Sequence, residues 1–177
     1  MRGWTRFLNR LPSYLLAWIW TVLLLVLMGL AFFVFTEPKL RWLRLVGWAV
    51  WALGAVFGIW PIFTLRARGG VPEGRSYMET TALVETGLYA IVRHPQGGTA
   101  GLLLCTALAL IGQHWLLVIL AAVAMLLVYL DTVRADEECI AKFGQVYVDY
   151  MKRVPRVNFA AGIVRMLVGQ RAAETEV

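Results

Sequence analysis

The chain has 177 residues, of which 60% are hydrophobic and 16% charged, with a formal net charge of +6. A soluble domain is roughly 45–50% apolar and about 25% charged, so this balance excludes both a disordered chain and an ordinary water-soluble globule. Eight Trp and eight Phe call for an apolar solvent, and the length suits one domain. The expected fold class is all-α: a polytopic membrane protein of about four transmembrane helices, forming a single integral membrane domain over residues 1–177.

The basic stretch at residues 1–10 precedes an apolar run too long for the core of a signal peptide, and no small-residue cleavage site follows it, so no cleavable signal is expected. Residues 13–35 hold 23 positions without a charge, about 34 Å of helix, enough to cross a bilayer core. Glu37-Pro38 closes this first span, placed at residues 13–36, because a proline disfavours helical geometry just before itself. A second span is expected at residues 42–65, with Pro61 bending it near its end. The polar segment 66–96 follows, carrying Gly69-Gly70, Pro72 and seven charged residues. Two further spans, at residues 95–112 and 114–133, are separated only by Gly112-Gln113-His114 and must form a tight helical hairpin. Cytosolic helices are expected at residues 134–153 and 158–170. The last carries Ile163, Val164, Met166, Leu167 and Val168 beside Arg165 and Arg171, the pattern of a helix lying on the membrane surface, with fraying beyond Gln170.

Of the 17 Lys and Arg, three lie in the first hairpin connection (Lys39, Arg41, Arg44) and none in the second. The other fourteen lie before the first span, in the 66–96 segment or after the last span, which places both termini in the cytosol. The net charge is therefore a topological signal, and no nucleic-acid partner is implied. Cys105 and Cys139 give no disulfide framework, and two His without metal-ligand spacing imply no metal.

Two polar clusters flank the last hairpin. The first reads Gly87-Leu-Tyr89-Ala-Ile-Val-Arg93-His94-Pro95-Gln96-Gly97-Gly98. The second runs from Arg134 through Asp136-Glu137-Glu138, Phe143-Gly144, Tyr147 and Tyr150 to Val154-Pro155-Arg156. A hairpin returns the chain to the face it left, so these clusters should be neighbours in space. Pro95 suits a first helical turn, and the free N–H groups of that turn can hold a carboxylate. Gly97 and Gly101, like Gly54 and Gly58, have the spacing of small residues that pack membrane helices; for Gly97, Gly98 and Gly101, close approach of a flat ligand is the alternative. Asp131, Arg134 and Glu138 share one helical stripe and can form an ion-pair ladder.

The two blocks, in this order around an apolar hairpin, resemble the isoprenylcysteine carboxyl methyltransferase and phospholipid N-methyltransferase superfamily over about residues 83–159. The resemblance implies S-adenosylmethionine as cofactor, bound at the cytosolic face, and a lipid-like acceptor reaching it from the membrane. It implies a cofactor pocket lined by Tyr89, His94, Pro95, Gly97, Gly98 and Glu138, closed or supported by Tyr147, Tyr150 and Arg156. Arg93, Glu137 and Glu138 become the catalytic candidates: an Arg suits a carboxylate or phosphate, a Glu a sulfonium or an amine. Gly97 and Thr99 stand where the family usually has Tyr and Gly, which implies a roomier pocket, and Phe159 stands near where a further Pro is expected. The acceptor stays open between prenylated cysteine, a phospholipid amine and small hydrophobic molecules, and so does the oligomeric state. Two alternatives compete. Cys139, Lys142, Phe143 and Gly144 echo a block of the NADPH-dependent sterol reductases, and the absent Tyr also fits a non-catalytic membrane scaffold.

Overall fold

The structure, a computed structural model, describes residues 15–175. The basic residues 1–10, the first positions of the expected 13–36 span and the last two residues lie outside the described part. Among the described residues every regular element is a helix. Helix α1 (Leu15–Gly29) continues into a π-helical turn, Leu30–Val34, and helix α2 (Arg41–Arg68) returns antiparallel to it. A long irregular segment then leads to the short helix α3 (Leu88–Ile91). A second π-helical stretch, Pro95–Ala100, opens α4 (Gly101–Gly112), and α5 (Trp115–Phe143), α6 (Gln145–Arg153) and α7 (Phe159–Thr175) complete the order.

Among the described residues four segments are long and apolar enough to cross a membrane: Leu15–Val34, Arg41–Arg68, Pro95–Gly112 and Trp115–Phe143. Their outward faces carry exposed Trp18, Phe33, Trp42, Trp60 and Phe63, side chains that suit lipid rather than water. Inward, Leu27 and Ala31 of the first segment pack with Cys105 and Leu108 of α4 and with Leu117, Ala121 and Ala124 of α5. Close approach of α2 and α4 rests on glycine: a Cβ at Gly54 would stand 3.2 Å from Leu104, and one at Gly47 would stand 2.9 Å from Ile111. Gly101 likewise faces Val128 of α5, at 3.1 Å from a Cβ, so it serves helix packing.

Away from the site, the two hairpin connections are clamped together. The Gln113 amide accepts from Leu40 N at 2.8 Å and donates to Leu40 O at 2.7 Å, while Phe35 stacks on His114 with centroids 3.9 Å apart. Gln113 takes a left-handed φ of 50°, which turns the chain from α4 into α5 within two residues.

Two boundaries differ from the sequence pattern. Helix α2 runs through Pro61 to Arg68. Helix α5 does not end near residue 133 but runs on to Phe143, 29 residues in all, so the helix expected at residues 134–153 is divided at Gly144 between α5 and α6. Charge alone does not stop a helix, and residues 131–143 contain neither Gly nor Pro. At ~1.5 Å per residue α5 is ~44 Å long against a bilayer core of ~30 Å, so its charged last turns stand clear of the apolar layer.

Candidate active site at the membrane edge

The two polar clusters meet through their backbones before any side chain is counted. Arg93 N donates to Pro155 O at 3.0 Å and His94 N to Arg156 O at 3.1 Å. Thr99 ties the same two segments from the side, its Oγ1 donating to Val157 O at 3.0 Å. Thr99 N donates to His94 O at 2.9 Å, closing the wide turn that Pro95, which has no N–H, begins. Wide turns of this kind recur at functional sites.

At the centre stands Asp136, its side chain 2% exposed. Arg93 Nη2 donates to its Oδ2 at 2.9 Å and Arg156 Nε to the same oxygen at 2.8 Å. Tyr147 Oη donates to Oδ1 at 2.6 Å, and His94 Nε2 lies 2.7 Å from Oδ1. A buried carboxylate is costly unless fully paired; here two guanidinium groups, a phenol and an imidazole supply the pairing. Arg93 also donates from Nη1 to Met151 O and Val154 O, at 2.9 and 2.8 Å. Arg156 reaches outward to Tyr129, donating to its hydroxyl at 3.1 Å.

Two glycines set the directions of the aromatic wall. Gly87 and Gly144 both have φ +64°, with ψ near −132° and −139°, a combination restricted essentially to glycine. Each starts a short helix in a new direction, α3 with Tyr89 and α6 with Tyr147 and Tyr150. Tyr150 Oη donates to Tyr89 O at 2.6 Å, joining those helices. Burial, and then the Asp136 acceptor, push the Tyr147 hydroxyl above its ordinary range, and burial does the same for Tyr89 and Tyr150. All three remain protonated donors at neutral pH.

These elements enclose a cavity of about 280 Å³, at the lower edge of small-molecule sites, which run roughly 300–1,000 Å³. Tyr89, Arg93, His94, Pro95, Gly97, Tyr147 and Tyr150 line it, as do Asp131, Ala135, Cys139 and Phe143 of α5. The irregular segment covers it with Met78, Thr80 and Leu83, held in part by Gln96 Nε2 donating to the Tyr77 hydroxyl at 2.8 Å. Gly97 is open, with nothing within 4 Å of a Cβ there. Gly98 is closed, a Cβ there standing 2.6 Å from Val157 and 2.8 Å from Thr132. Arg156 is behind the wall, reaching the site through Asp136. Glu137 and Glu138 are not among the lining residues; the Glu138 side chain is 57% exposed and pairs with Arg134 at 3.4 Å.

Asp136 is the residue that the sequence pattern did not single out. Its signal was present as a charge balance: two arginines in apolar surroundings, Arg93 and Arg156, need a buried acid. The role of Asp131 beyond an ion-pair ladder was equally hidden, since its partner is Trp20 Nε1 of α1, donating at 3.0 Å.

The fold and the site define a polytopic helical membrane protein with a cavity at the end of its last hairpin. Residues 42–152 match the phospholipid methyltransferase family, and the chain belongs to that family, within the superfamily it shares with the isoprenylcysteine carboxyl methyltransferases. It is by that membership an integral membrane protein of the methyltransferase class. The matched stretch contains α2 to α5 and most of α6, including every residue that lines the cavity. No curated protein and no solved structure shows a significant match to the chain.

Proposed function

We propose that the chain transfers a methyl group from S-adenosylmethionine to a lipid-like or small hydrophobic acceptor, a carboxylate or an amine, at the cytosolic face of the membrane. The observation that carries this reading is the cavity itself: it lies wholly within the family-matched stretch, at the membrane edge, between the two blocks joined by Asp136. Its chemistry suits the cofactor. Tyrosine and aliphatic walls accept a flat heteroaromatic ring, open Gly97 admits close approach, and Asp131 offers a negative charge to a cation. Arg93 Nε is buried without a hydrogen-bond partner among the described residues, a donor that a ligand oxygen can satisfy after a small side-chain shift.

S-adenosylmethionine supplies an electrophilic methyl group on a sulfonium. The chain then has chiefly to position the reactants, which is a large part of the barrier for an in-line displacement. Tyr89, His94, Pro95, Gly97, Tyr147 and Tyr150 form the proposed cofactor wall, and Arg93 the acceptor-side cation. Gly98 and Arg156 shape that wall from behind. Glu138, flanking lining residue Cys139, reaches a ligand only by leaving its exposed pair with Arg134. Glu138→Gln is expected to change turnover by less than about fivefold, the scale of a surface ion pair; a larger loss would put Glu137-Glu138 at the reacting groups.

The experiment is calorimetry of the detergent-purified protein with S-adenosylhomocysteine and, separately, with NADPH. Binding of the first is expected. Binding of NADPH alone would restore the reductase reading, and binding of neither the scaffold. Lipid and metabolite mass spectrometry, reading a gain of one methylene on expression, then identifies the acceptor.

A further inference from the structure

Helix α5 turns one face toward the cavity, through Asp131, Ala135, Cys139 and Phe143, residues four apart and therefore stacked along one side of the helix. Asp131 is the one carboxylate among the lining residues. Asp136 is consumed by four partners, and Glu137 and Glu138 stand elsewhere. Asp131 differs from all three: it is half-buried, and among the described residues it accepts one hydrogen bond, from Trp20 Nε1 to Oδ2 at 3.0 Å. Its Oδ1 accepts no hydrogen bond among the described residues, and the residue lines the cavity. A carboxylate at this depth is costly; the indole N–H and the favourable electrostatics of nearby Arg134 and His94 offset part of that cost, and a positively charged ligand group beside it would lower it further.

We propose that Asp131, oriented by Trp20, is the cation-binding residue of the cavity and recognises an onium group, either the sulfonium of the cofactor or the ammonium of an amine acceptor. This rests on the methyltransferase reading for its two candidate ligands, and it adds a residue that selects by charge. Asp131 lies five residues before Asp136, about 7.5 Å nearer the apolar layer along the helix axis. A cation held there sits on the membrane side of the Arg93–Asp136 centre.

The test compares charged and neutral ligands of similar shape on the detergent-purified full chain and on Asp131→Asn. One pair is S-adenosylmethionine with S-adenosylhomocysteine; the other is dodecylammonium with dodecanol, all measured by calorimetry. A sulfonium role is shown by an affinity for S-adenosylmethionine about tenfold or more weaker in the variant, the scale of a hydrogen bond to a charged group, with S-adenosylhomocysteine unchanged. An ammonium role is shown by the same loss for dodecylammonium alone. Unchanged affinities in both pairs would overturn the proposal. If Asp131→Asn does not fold, the wild-type protein decides: charged ligands bound no more tightly than their neutral partners would also overturn it. A wild-type protein binding neither adenosyl compound would instead remove the methyltransferase reading, and the dodecylammonium comparison would still judge Asp131.

Discussion

The site turns on one acid among three consecutive ones. Successive residues of a helix point about 100° apart, so Asp136, Glu137 and Glu138 face three directions, and only the first faces Arg93 and Arg156. Asp136→Asn leaves one carbonyl oxygen for four donors and strands the buried guanidinium of Arg93 and the partly buried one of Arg156. A loss of about 3–5 kcal/mol is expected, as for one half of a buried ion pair, against about 0–1 kcal/mol for Glu138→Gln in its exposed pair. Thermal unfolding in detergent measures both, and equal effects would contradict the assignment of Asp136 as the joining residue. Gly97 gives the complementary case. With nothing near its would-be Cβ, Gly97→Ala should leave the unfolding temperature unchanged while weakening S-adenosylhomocysteine binding; an unchanged affinity would show that no ligand approaches there.

At the scale of elements, the same residue types have different reasons for being where they are. Gly101 is small because Val128 stands against it, whereas Gly144 is glycine because φ +64° with ψ −139° turns α5 into α6. Gly144→Ala should cost about 1–3 kcal/mol of backbone strain and move Tyr147 off Asp136. Ultraviolet absorption of the buried tyrosines and thermal unfolding would register both changes, and a fully stable variant with native tyrosine spectra would refute the strain argument. The four apolar segments, the tight hairpin and the meeting of its flanking clusters were legible in the sequence, because hydropathy and loop length alone determine them. The break at Gly144, which divides the stretch expected as one helix at residues 134–153 and leaves its first part continuous with α5, was not, since a helix boundary depends on where a breaker stands rather than on where charge begins. Nor was Asp136: its role depends on the rotational phase of α5 against the Arg93 and Arg156 segments, and one-dimensional spacing does not contain that phase.

For the whole molecule, one face carries the candidate site and the other carries closure. The Gln113–Leu40 clamp and the Phe35–His114 stack hold the two hairpin connections together, while Arg93, Asp136, Arg156 and the cavity lie at the opposite ends of α4 and α5. Charge follows the same division along the sequence: Lys39, Arg41 and Arg44 are the basic residues of the two hairpin connections, and the remaining fourteen come before the first span, between the second and third, or after the charged part of α5 begins. Because positive residues are retained on the cytosolic side, the site and the C-terminus are expected there, where a cytosolic cofactor has access. The prediction can be read from two single-cysteine variants, Lys39→Cys and Lys152→Cys, each made with Cys105 and Cys139 replaced by Ala. In intact cells a membrane-impermeant maleimide should label position 39 and spare position 152, and both should react once the membrane is opened. Labelling of position 152 in sealed cells would invert the protein and put its cavity on the side that a cytosolic cofactor does not reach.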